Sequence, residues 1–116
     1  MPEPYLSSAV VRFLDRERVL AELRRAAAEA KARHPEITRV LLFGSLVHGN
    51  WTADSDADLI VVVRAEFPAI LDRAPYQIYT RAISTDSLVY SEREFAQLSG
   101  DPRSFVARNL PFALEL

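Results

Sequence analysis

The hydrophobic pattern divides the chain into segments of two periods. Between residues 16 and 33, Val19, Leu20, Leu23, Ala27 and Ala30 recur three and four apart, the spacing that aligns side chains on one helix face. Asp15 stands where an N-cap is expected. His34-Pro35 ends the helix, because the residue before proline is pushed out of the helical region. Upstream, after a loose start marked by Pro2 and Pro4, residues 7–14 suit either a short helix or a strand, given Val10, Val11 and Phe13.

The period then changes. Residues 37–43 (ITRVLLF) are β-branched and apolar and end at a glycine, so they read as a first strand. Residues 45–50 predict one helical turn. Residues 59–63 form an unbroken aliphatic run, as in a strand covered on both faces. Phe67, Ile70, Leu71, Ala74 and Ile78 return to helical spacing, with Pro68 near the start and Pro75 bending or breaking the helix. Residues 83–90 (ISTDSLVY) read as a third strand. Ser91 with Glu94 makes a capping box for a short helix that turns Phe95 and Leu98 inward. Asp101-Pro102 predicts another helix start, since Asp caps and Pro suits the first helical position, and Asn109 ends it. Residues 112–116 read as a short edge strand. This order predicts an α+β fold (an α/β sandwich), a small mixed sheet flanked by helices.

Composition narrows the picture. At 116 residues the chain predicts a single domain, 1–116. Hydrophobic residues make up 49% and charged residues 26%, as in ordinary globular proteins. A net charge of -2 argues against tight, sequence-independent binding of nucleic acid. The lack of cysteine excludes disulfides, thiolate metal sites and cysteine nucleophiles. No basic stretch leads into a long apolar segment at the N-terminus, and no aliphatic run approaches the roughly 18 residues of a membrane span. The expectation is a cytoplasmic protein with no membrane partner. The core is small, so a large substrate calls for a second surface, from a partner or a second copy in a homo- or hetero-oligomer.

Candidate chemistry concentrates in residues 44–59, GSLVHGNWTADSDADL. Gly44 falls where a strand ends and Ser45 where a helical turn begins. Backbone N–H groups at such a turn bind anions, glycine lets a phosphate approach, and the Ser45 hydroxyl can donate one more hydrogen bond. Alone, this is equally an ordinary tight turn. Asp56 and Asp58 follow at the mouth of a strand. Residues two apart share a face, so their carboxylates converge while Ala57 faces away. Like charges so placed repel unless a cation sits between them, and magnesium takes carboxylate and phosphate oxygens together. The alternative is a solvated acidic turn capped by Ser55 or Asp54. Gly44 and Gly49 are spaced as in the phosphate loop of common ATPases, but Asn50 and Trp51 stand where that loop requires Lys and Ser/Thr.

Gly44-Ser45, ten intervening residues, then Asp56-Ala57-Asp58 resembles the signature of the DNA polymerase beta-like nucleotidyltransferase superfamily. The setting, VLLFGSLVHGN…SDADLIVVV, is similar to its minimal nucleotidyltransferase branch, often paired with HEPN-domain proteins in prokaryotic toxin–antitoxin modules. The resemblance implies a third carboxylate on a later strand, matched by Asp86, which on its own could simply cap or end that strand. It implies a magnesium-dependent transfer (two ions) in which a hydroxyl attacks the α-phosphate of a nucleoside triphosphate, ATP, and pyrophosphate leaves. Asp56, Asp58 and Asp86 would be the catalytic and metal residues. Gly44, Ser45, His48 and Ser55 would be nucleotide-binding. By the same resemblance the acceptor is a tyrosine of a HEPN toxin and this chain its antitoxin. A binding module that neutralises its partner by contact is the alternative, as is transfer to a small molecule or an RNA end. His48 departs from the branch, which often has arginine there; it either contacts phosphate when protonated or faces solvent. Trp51 either stacks on a base or covers the core edge. Arg64 and Arg81 either reach the nucleotide or are surface residues. Phe105, Leu110, Phe112 and Leu114 form either a partner face or core.

Overall fold

The structure, a computed structural model, describes residues 8–49 and 55–116, with side chains from residue 15 onward. Helix α1 (Ser8–Arg33) leads into β1 (Ile37–Phe43), the short α2 (Ser45–His48) and β2 (Ala57–Val63). A 3-10 strap (Ile70–Tyr76) crosses to β3 (Thr85–Ser91), followed by α3 (Glu92–Ser99), α4 (Phe105–Asn109), a 3-10 turn (Leu110–Phe112) and β4 (Leu114–Glu115). The four strands lie in the order β3-β2-β1-β4. β2 runs antiparallel to β1 and parallel to β3, and β4 pairs antiparallel with β1. The mixed sheet with flanking helices is the expected α+β fold.

Alternation along β2 divides the core. Leu59, Val61 and Val63 join Val40, Leu42 and the α1 stripe of Val19, Leu20, Leu23, Ala27 and Ala30 on one face. Ile60 and Val62 join Leu41, Phe43, Phe95 and Val106 on the other, under α3 and α4. Both faces of β2 are therefore covered, as its aliphatic run predicts. Ser91 caps α3 by accepting from the Glu94 N–H at 3.0 Å, while the Glu94 carboxylate accepts from the Ser91 N–H at 2.9 Å. This is the expected capping box.

Four expectations are corrected. Residues 8–14 continue α1, so Asp15 lies inside the helix and does not cap it. Residues 67–78 do not form an amphipathic helix: the strap is 3-10, and Ile70 and Leu71 are 87% and 80% exposed. Pro75 lacks an N–H and clashes with a preceding turn, which favours a short, tighter segment. Asp101-Pro102 forms a turn, and α4 starts four residues later with Ser104 as its cap, accepting from the Ala107 N–H at 3.0 Å. The last strand is two residues long, because the Leu110–Phe112 turn takes up the residues before it. The proline pair at the start, Ser7, Asn50, Trp51 and Asp54 lie outside the described residues.

Candidate active site

β1 ends at Phe43, and the chain then turns through Gly44 with φ 89° and ψ -154°. That conformation is open essentially only to glycine. α2 closes over it, with the Val47 and His48 N–H groups donating to the Gly44 carbonyl at 3.1 and 3.3 Å. The Ser45 and Leu46 N–H groups stand at the head of the turn, the end that attracts anions. Arg16 on α1 steadies it by donating to the Leu46 carbonyl at 2.7 Å. The Gly44 carbon lies directly against the next strand: a Cβ there would stand 2.7 Å from Asp58 Oδ2. The backbone angle thus requires glycine, and a Cβ would also force the Asp58 carboxylate to shift.

The strand register brings the acidic residues together. Phe43 pairs with Asp58, and Asp58 pairs with Asp86. Asp58 has the parity of Ile60 and Val62, and Asp86 that of Leu88, so both carboxylates stand on the α3/α4 face. Ala57 is fully buried on the opposite face, as the two-residue spacing requires. Asp56 precedes the strand and is exposed. Burial first, then the Asp86 charge, then the Asp56 charge hold the Asp58 carboxyl above the usual aspartate range. Asp86 and Asp56 therefore both act on Asp58, and a positive charge between them would relieve the repulsion. Their all-oxygen donor set suits a hard divalent cation. Among the described residues no three His, Cys, Asp or Glu side chains stand close enough together to hold a metal ion by themselves.

The remaining candidates are spread around this row. Ser45 begins α2 and is half-buried beside Gly44, and Ser55 lies just ahead of Asp56. His48 ends α2, is exposed, and tilts its ring against Phe112 with 6.2 Å between centroids. Arg64 follows the far end of β2, about 20 Å of strand from Asp58, and does not reach the site. Arg81 lines a surface depression with Glu22 and Arg25 of α1. Phe105 is 47% exposed and packs on Phe43 at 5.8 Å, which brings an aromatic wall to the row's β1 end. Sequence reasoning missed Phe43 and Leu88 as neighbours of the carboxylates. Alternation places Leu88 beside Asp86, whereas Phe43 is identified only by the register of β1 on β2.

The nucleotidyltransferase domain model matches residues 23–104, from within α1 to the cap of α4, and includes every acidic residue of the site. The chain belongs to the nucleotidyltransferase family. A Methanocaldococcus jannaschii protein, provisionally named a protein adenylyltransferase, is 29% identical over 59 residues, 51% of this chain and 59% of its own length. The nucleotidyltransferase chain thus spans less than two thirds of that relative. A crystal structure of a provisionally assigned nucleotidyltransferase from Sulfolobus solfataricus superposes with a TM-score of 0.61 at 21% identity, covering 82% of this chain and 85% of its own. At that identity the likeness shows the fold. Among the described residues, no helix of this nucleotidyltransferase is long and apolar enough to cross a membrane.

Proposed function

We propose that this nucleotidyltransferase moves AMP from ATP to a protein hydroxyl, a tyrosine of a HEPN-domain toxin, and acts as its antitoxin in the cytoplasm. The observation that carries the reading is the row across three strands: Gly44 against Asp58, and Asp58 in register with Asp86. The name of the Methanocaldococcus jannaschii relative supports a protein acceptor. The Gly44–Ser45 turn holds the β- and γ-phosphates on the β1 side. Asp86, on the β3 side, accepts the proton of the attacking hydroxyl. The oxygen forms a bond to the α-phosphorus, the bond to the bridging oxygen breaks, and pyrophosphate leaves. Asp56, Asp58 and Asp86 are the residues that would hold magnesium, which supplies charge neutralisation at the phosphates. A binding module acting by contact alone gives no reason for the Asp58–Asp86 register.

Mass spectrometry of the HEPN-domain protein, incubated with this chain, ATP and magnesium, tests the proposal. The expected result is a mass gain of one AMP that Asp56→Ala abolishes. Neutralisation that survives Asp56→Ala with no modification overturns it.

A further inference from the structure

β3 is the free edge of the sheet, and an exposed strand edge invites pairing with another chain. Here the strap closes it. Gln77 donates to the Ser87 carbonyl at 3.1 Å, and Arg73 donates to the Val89 carbonyl at 2.6 Å. Arg73 is itself fixed by a two-pronged pair with Glu94, both contacts at 2.8 Å, and by stacking over Phe67. The Ser87 and Val89 acceptors are taken, so a partner cannot add a strand across the middle of β3. Between strap and strand remains a groove of about 470 Å³. Ile70, Leu71 and Leu88 line it, at 87%, 80% and 44% exposure. An anchored segment that holds two large aliphatic side chains in water presents a preformed apolar surface.

Through Leu88 the groove comes close to the candidate site. Leu88 follows Asp86 by two residues on the same face of β3, about 7 Å along the strand. It also lies on the acceptor side: Gly44 and the phosphates stand beyond Asp58, toward β1. The exposed lining is mainly apolar, and its Arg73 and Gln77 are already engaged with Glu94 and the β3 carbonyls, so apolar side-chain contacts are the means of recognition that remain. We propose that this groove docks the acceptor polypeptide, seating its apolar side chains on Ile70, Leu71 and Leu88 and bringing its hydroxyl to Asp86. The inference rests on transfer to a protein hydroxyl.

Binding and transfer are read separately. Calorimetry of the HEPN-domain protein on the wild-type chain, Ile70→Asp, Leu71→Asp and Leu71→Met reports docking without any reaction. The expected result is a dissociation constant raised at least about tenfold by either aspartate and kept by methionine. Both side chains are exposed, so the fold tolerates the changes. Unchanged binding in the aspartate variants overturns the inference, as does loss on Phe112→Asp instead, which assigns docking to the α4 side. A wild-type dimer in light scattering that Leu71→Asp turns into monomer assigns the groove to a second copy and also overturns it. Wild-type transfer of AMP to the HEPN-domain protein, read as a mass gain, tests the reaction itself. Its absence, with binding still lost in the aspartate variants, removes the proposed reaction and leaves the docking surface standing.

Discussion

At Gly44 one missing methyl group links backbone and site. Any other residue there must hold φ near +89° and set a Cβ 2.7 Å from the Asp58 carboxylate. Gly44→Ala is expected to cost about 1–3 kcal/mol from the backbone angle and to push Asp58 out of its row. Thermal melts should drop by several degrees and nucleotidyl transfer by more than tenfold; a melt within one degree of wild type contradicts the requirement for glycine. Asp58 gives the opposite sign. Its carboxylate is partly desolvated and faces the charges of Asp86 and Asp56, so the charged side chain opposes folding. Asp58→Asn should therefore melt above wild type in chelator while losing transfer. Added magnesium should raise the wild-type melting temperature more than that of Asp58→Asn, and equal shifts in the two proteins speak against Asp58 as a ligand.

Among the elements, the strap depends most on its attachments, and Glu94 carries much of the load. One carboxylate caps α3 through the Ser91 N–H and clamps Arg73 of the strap. The Arg73 guanidinium first, helped by the hydrogen bonds to Ser91, holds Glu94 down at about 2. Because the folded value lies below the unfolded one, its contribution is present above the ordinary glutamate range and is lost as pH falls toward 2. Glu94→Ala is expected to cost about 1 kcal/mol at pH 7, mostly as a lost cap and a partly solvated ion pair. In chemical denaturation that deficit should shrink between pH 5 and 3, and a deficit independent of pH would remove Glu94 as the titrating group. The contrast between α3 and the strap explains what could be read in advance. The capping box, the α1 stripe and the β2 run each satisfy their own local rule, and each forms as read. Ile70 and Leu71 have helical spacing too, yet long-range anchors from Val89, Ser87 and Glu94 decide their segment, and none of these is visible in local periodicity. Asp101-Pro102 fails for a similar reason: Ser104, three residues after Asp101, is the competing cap, and its hydroxyl donates to the Leu98 carbonyl of the preceding helix.

Across the whole molecule the sheet separates two tasks. Asp56 and Asp58 were legible as a candidate pair from their two-residue spacing after the Gly-Ser turn, and Asp86 only through the family resemblance; the order of strands was not legible, and it decides which side does what. With β1 on one side of β2 and β3 on the other, the phosphate turn and the candidate base flank Asp58 from opposite directions. Removing either should then damage different steps. Asp86→Asn deletes the proton acceptor and leaves Gly44, Ser45 and Asp58 in place. It should lower kcat by about 10²–10⁴, the usual range for a general base, while ATP binding measured by equilibrium dialysis changes little. Gly44→Ala should instead weaken ATP binding directly, since it alters the turn proposed to hold the phosphates. If Asp86→Asn weakens ATP binding as much as Gly44→Ala does, both residues serve the nucleotide, and the hydroxyl must be activated from another direction.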